Sequence, residues 1–238
     1  MTSAVASEVI RDLSRDGVLR AGINVGNPAL ARRDPASGEI RGIAVDLARE
    51  FAARLGVGVA LVTFDAAGKM FNALKADAWD VAFMAIDPER ATELAFTAPY
   101  QTIEGTYLVR ADSTLAAIED VDRPQVRIAV GNRSAYDLYL SRTIAHAQLV
   151  RASSAAESFE MFQQQNLEVL AGVRQVLLAL ERRHGGLRVM SGRFMTIEQA
   201  VATPKDRTAG AGFLSGIIEE LKRSGFVAAA LERMQGGG

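Results

Sequence analysis

Apolar residues along this 238-residue chain switch between short continuous runs and stripes with a wider period. A short charged helix opens the sequence, and "VLRAGINVG" follows as an apolar run that predicts a buried strand ending in a loop. "ARRDPASGEIRG" carries the Asp-Pro and Ser-Gly signals of an exposed turn. In "IAVDLAREFAARLG", Ile43, Leu47, Phe51 and Leu55 stand four apart while Asp46, Arg49, Glu50 and Arg54 fall elsewhere, which predicts an amphipathic helix stopped by Gly56. A strand at "VGVALVTF", a helix at "GKMFNALKAD" and a strand at "WDVAFMAI" complete a β-α-β-α-β series. That alternation argues for a parallel sheet with helices on both faces.

The rhythm then breaks. "LAFTAPYQTIEGTYLVRAD" reads as two extended pieces, after which the alternation restarts with the strand "VRIAVG", a helix from about Ser134, the strand "AQLVRA" and a helix at "AAESFEMFQQQ". The strand "LEVLAGV" and the helix "RQVLLALERRH" continue it, then the extended "FMTIEQAVATPKD" leads to two amphipathic helices, "AGFLSGIIEELKRSG" and "VAAALERMQ". Two α/β units joined by extended segments account for the interruptions better than one continuous sheet. The terminal "GGG" is expected to be a frayed tail.

Composition narrows the function. Hydrophobic residues make up 49% and charged residues 23%, near the averages of globular proteins. The formal net charge of −1, without a basic run, leaves out the electrostatic footprint of a nucleic-acid binder. The absence of cysteine removes disulfides, thiolate metal sites and cysteine nucleophiles. The two histidines, His146 and His184, lie in polar stretches and are expected to be solvated helix-end residues rather than bases or ligands. No apolar run is long enough to span a membrane, and "MTSAVASEVIRDLSRDG" has no basic start followed by an apolar block. The expected location is periplasmic if a signal peptide was trimmed, and cytoplasmic as the sequence is written.

No phosphate-loop, nucleophile-elbow or metal-ligand spacing is present, and no cofactor is expected. Gly22 and Gly26 in "GINVG" lack the third glycine of a dinucleotide fingerprint and are expected to serve the turn. The informative landmarks are "LRAGINVGNPAL", "GIAVDLAREFAARLG", "WDVAFMAIDPERATELAFTAPY", "RIAVGNRSAYD", "LEVLAGV" and "AVATPK". In this order, over residues 18 to about 235, they resemble the periplasmic amino-acid-type solute-binding proteins of ABC transporters, whose fold is shared by the ligand-binding cores of ionotropic glutamate receptors. The resemblance implies a two-lobed α/β fold of the periplasmic-binding-protein type, each lobe a mixed, mostly parallel sheet flanked by helices, with two crossing strands as a hinge. Residues 1–105 with 199–238 would form the first lobe and 106–198 the second.

The resemblance also implies that Arg90, the arginine of the "ER" motif, grips a ligand carboxylate. A guanidinium fork matches carboxylate geometry and does not lose its proton. The bland alternative is a surface arginine paired with Glu89 or Glu93. Where the family has a serine or threonine five residues earlier, this chain has Ala85, and Asn24 and Asn27 occupy the first loop, where an acidic residue and an aromatic are frequent. "RSA" replaces "GTT": Ser134 is kept, Arg133 replaces the glycine and Ala135 the second threonine, so a helix N-terminus remains to meet an anion. The acid that would pair a ligand ammonium is Val173, followed by Arg174. An ammonium facing valine loses its counter-charge, so an ordinary α-amino acid fits poorly. Lys69, Arg133 and Arg174 are further candidate cations, Gln199 a polar orienter, and Met84, which strand alternation sets with Ala82 and opposite Phe83, a candidate ligand contact.

The function this implies is capture of a small carboxylate for ABC-type uptake by a monomer that works with a permease, without catalysis and without nucleic acid. Two alternatives stay open: a cytoplasmic sensor or scavenger, and a cyclohexadienyl-dehydratase-like enzyme for which Glu104 and Glu198 are the available carboxylates.

Overall fold

The computed structural model describes residues 5–236. In chain order the elements are α1 (Ser7–Leu13), β1 (Val18–Asn24), β2 (Arg32–Arg33), β3 (Ile40–Arg41), α2 (Ile43–Leu55), β4 (Gly58–Phe64), α3 (Ala67–Asn72), β5 (Val81–Ala85), β6 (Leu94–Phe96) and β7 (Gln101–Arg110). They continue with β8 (Arg127–Gly131), α4 (Ala135–Thr143), β9 (Gln148–Ala152), α5 (Ala155–Gln164), β10 (Val169–Val173), α6 (Arg174–Arg183), β11 (Leu187–Val189), β12 (Met195–Pro204), α7 (Thr208–Arg223) and α8 (Phe226–Gly236). The chain divides into two compact units, Met1–Asp65 with Lys69–Gln101 and Glu198–Gly238, and Ala66–Gly68 with Thr102–Ile197.

In the first unit, β1 lies between β4 and β5 in parallel, and β12 runs antiparallel to β5 and β6. Successive side chains of a strand point to opposite faces, and the sheet sorts its residues accordingly. Leu19, Ala21, Ile23, Val81, Phe83 and Val201 share one core with Ile43, Leu47, Phe51 and Leu55 of α2 and Leu214, Ile218 and Leu221 of α7. Ala82, Met84 and Ala202 belong to a second core with Met70, Phe71, Trp79 and Leu94. The α2 stripe anticipated from its four-residue spacing is therefore the face that packs on the sheet, and Gly56 ends the helix in the left-handed conformation, φ 70°.

In the second unit, β10 is antiparallel to β7 and parallel to β8, β8 is parallel to β9, and β11 adds to the other side of β7. Its core gathers Leu108, Ala129, Phe159, Phe162, Leu167, Leu170 and Leu177.

Several local expectations need correction. Gly22 does not serve a turn: it lies inside β1, paired with Val62 and Ala82, and a Cβ there would stand 3.3 Å from Ala82, Met70 and Trp79 side-chain atoms. Gly26 does sit in the loop, where a Cβ would fall 1.9 Å from the Asp65 carbonyl oxygen, so only a hydrogen can face that backbone. The helix expected through Asp77 is α-helical only to Asn72 and tightens to a 3-10 turn over Ala73–Ala76. The turn after Ala31 is framed by a two-stranded hairpin, β2 with β3. His184 does end a helix, but its ring is half-buried against Phe159, with centroids 4.9 Å apart. His146 is exposed in the bend after α4, its backbone N–H donating to Asp122. Of the expected glycine tail, Gly236 closes α8, and residues 237–238 lie outside the described residues, as do residues 1–4 of the N-terminal stretch expected to lack a secretory signal.

Candidate functional site

The end of β5 builds the site in the first unit. Ala85 is its last residue, and the chain then turns through Asp87, whose Oδ1 accepts the Glu89 N–H at 2.9 Å while its carbonyl accepts that of Ala91. This turn starts a 3-10 segment, Arg90–Thr92, that carries Arg90 back against the strand end. Arg90 is 1% exposed, and its Nη1 donates to the Ala85 carbonyl at 2.9 Å. The surface alternative for Arg90 is thereby excluded. A buried guanidinium leaves water at considerable cost, which marks the position as specialised.

Gln199 stands directly across from Ala85 in the β12–β5 ladder. It is 4% exposed and its Oε1 has no hydrogen-bond partner, while its backbone carbonyl accepts the Tyr100 N–H at 2.9 Å. The Tyr100 hydroxyl and Gln101 Oε1 are likewise buried without partners. Burial alone pushes the Tyr100 phenol well above its ordinary pKa. Tyr100 and Gln101 were not among the candidate site residues; in the sequence they belong to the "PYQ" that follows the "ER" motif.

The other candidates of this unit are placed less pointedly. Asn24 is buried at the end of β1 and its Oδ1 accepts the Gly26 N–H, and Asn27 Oδ1 accepts the Ala29 N–H, so both carboxamides shape the loop. Met84 does lie on the face of Ala82, opposite Phe83, and is 1% exposed within the second core. Lys69 is an exposed residue paired with Asp65 at 2.7 Å. An open cavity of about 870 Å³ elsewhere in the unit, rimmed by Arg32, Arg33, Arg41, Arg49 and Arg233, contains none of the anticipated residues.

In the second unit, Ser134 caps α4, its Oγ accepting the Asp137 N–H at 3.1 Å, and Ala135 is the first helical residue. Arg133 takes a left-handed backbone, φ 56°, with its N–H donated to Asp137 Oδ2. Val173 ends β10 and precedes α6, whose first residue, Arg174, donates through Nε to Glu104 Oε2 at 2.6 Å and through Nη2 to the Gly192 carbonyl. Arg193, not anticipated from the sequence, donates to the other Glu104 oxygen at 2.8 Å. The hydrogen bonds from Arg174 and then Arg193 hold the Glu104 carboxyl below its ordinary pKa. Glu198 is exposed on β12. Arg90, Ala85 and Gln199 thus come together in one unit, and Glu104 and Arg174 in the other.

The mixed α/β fold in two units matches that of two-lobed periplasmic binding proteins. The chain belongs to the bacterial extracellular solute-binding proteins, family 3, whose sequence pattern spans residues 19–236. A variant of ArgBP from T. maritima is 25% identical, with a TM-score of 0.82, over 96% of this chain and 99% of that one. AncCDT-1, an ancestral amino acid-binding protein and precursor of cyclohexadienyl dehydratase, is 22% identical, with a TM-score of 0.80 over 96% and 99% of the two chains. AbpA, an amino acid ABC transporter substrate-binding protein of Streptococcus pneumoniae solved bound to L-arginine, is 18% identical, with a TM-score of 0.82 over 94% and 97%. No curated protein matches the sequence. Among the described residues, no helix is long and apolar enough to cross a membrane.

Proposed function

We propose that this protein is a non-catalytic binding protein that captures a small carboxylate on Arg90 and delivers it, as a monomer outside the cytoplasm, to an ABC permease. Its two compact units act as the two lobes of the binding fold, with the chain passing from one to the other after Gln101 and after Ile197. The observation that carries the reading is the burial of Arg90 at the end of β5, its guanidinium braced on the Ala85 carbonyl. A braced fork keeps its geometry, so little order is lost when a carboxylate arrives.

Val173 and Arg174 stand where the family resemblance calls for an acid, which argues against an ordinary α-amino acid as ligand. Lys69 is paired with Asp65 and Arg174 with Glu104, while Arg90 is the buried guanidinium of the first unit. The low pKa of Glu104 argues against a catalytic acid at that position.

The test is a thermal-shift screen of small mono- and dicarboxylates on the wild type, Arg90→Lys and Arg90→Ala. A ligand that binds only the folded state at a hundred times its Kd stabilises it by about 2.7 kcal/mol. The wild type is expected to respond, Arg90→Lys to respond weakly because it keeps the charge but loses the fork, and Arg90→Ala not at all. An Arg90→Ala protein that remains folded and responds like the wild type removes Arg90 from the site.

A further inference from the structure

Buried polar groups in folded proteins are paired, so each exception asks for an explanation. Gln199 is such an exception: it is 4% exposed with its Oε1 unpartnered, and it lies across the ladder from Ala85, the residue whose carbonyl braces Arg90. The Tyr100 N–H donates to the Gln199 carbonyl, which fixes the backbone at this point of the ladder.

What this side chain offers is uncharged. A carboxamide presents an acceptor oxygen and a donor nitrogen whose positions exchange by a flip of the side chain. An ammonium only donates, and it needs an ionised partner to replace its lost hydration, which an amide does not supply. An alkyl group would leave the amide oxygen unsatisfied. A hydroxyl donates to the amide oxygen or accepts from the amide nitrogen, whichever faces it, and brings no charge to neutralise.

We therefore propose that Gln199 receives a hydroxyl of the ligand whose carboxylate is held by Arg90, so that the ligand class is a small hydroxycarboxylate. This inference rests on the carboxylate reading given above. Calorimetric titration with two matched series, propionate, lactate and alanine, then succinate, malate and aspartate, tests it. In at least one series the hydroxy acid is expected to bind about tenfold more tightly than its deoxy counterpart, and more tightly than the amino acid. Gln199→Leu is expected to erase the preference for the hydroxyl. The ranking on the wild type stands as a test even if that variant fails to fold. An amino acid binding most tightly, in an Arg90-dependent manner, overturns the hydroxycarboxylate and leaves the carboxylate site intact, as does a Gln199→Leu protein that keeps the hydroxyl preference. A wild type that binds no member of either series overturns both.

Discussion

Asp80 precedes β5, and replacing it with alanine should destabilise the first unit more than any exposed ion-pair change. The side chain is 1% exposed, and its carboxylate accepts the Arg20 backbone N–H at 2.9 Å, Arg20 Nε at 3.0 Å, Arg20 Nη2 at 2.7 Å and Arg207 Nη1 at 2.8 Å. Hydrogen bonds to a charged group contribute about 1.5–3 kcal/mol each, and removal of one partner from a buried pair costs about 3–5 kcal/mol. The Arg20 and Arg207 side chains are 22% and 15% exposed and retain Asp77, so water and that carboxylate recover part of the loss. The expected cost therefore falls at the low end, about 3 kcal/mol. Urea unfolding followed by fluorescence of the buried Trp79, the chain's single tryptophan, reads this unit directly. A loss below about 1 kcal/mol at an unchanged urea slope refutes the reasoning.

The same carboxyl sets an acid limit. Burial pushes its pKa up, but the hydrogen bonds from Arg20 and Arg207 outweigh burial and leave it below the ordinary aspartate value. A group whose pKa is lower folded than unfolded stabilises the fold above its unfolded pKa and stops doing so as pH falls through the folded one. The stability gap between the wild type and Asp80→Asn should be constant above about pH 5 and close below about pH 4.

Two further outcomes are open to measurement. Gly26→Ala forces a methyl onto the Asp65 carbonyl and should cost about 2 kcal/mol, whereas Gly212→Ala, on an exposed part of α7 with nothing within 4 Å, should stabilise by up to about 1 kcal/mol; equal signs in urea unfolding contradict the packing argument. Glu104, held by Arg174 and Arg193, should titrate below the ordinary glutamate range when followed by carboxyl-carbon NMR, and a midpoint at or above about 4.3 contradicts the ion-paired geometry.

The elements legible in the sequence were those whose signals are local. Ile43, Leu47, Phe51 and Leu55 bounded by Gly56 describe α2 without reference to any other segment, and the alternation of Ala82, Phe83 and Met84 places β5 between two cores. β11, only Leu187–Val189 between glycine and serine-glycine signals, escaped notice because three residues define no period and only its pairing with β7 makes it a strand. The site divides the same way. Arg90 announces itself through its own motif, but the Glu104–Arg174 pair joins residues 70 positions apart, and the unpartnered Gln199 amide is a property of what surrounds it. Long-range pairing and missing partners leave no mark on the local pattern.

The discontinuity of the first unit has a consequence for biosynthesis. β5 emerges from the ribosome early, yet the strand that completes its ladder, β12, and the helix α7 whose Gly210 N–H is received by Asp12 and whose core residues cover the sheet follow only after β11. At 5–20 residues per second, the interval between them is on the order of ten seconds. During that time β5 has β1 along one edge and Phe51 of α2 stacked on Phe83, while its other edge stays open. The part carrying Arg90 therefore cannot complete its sheet until β12 is available.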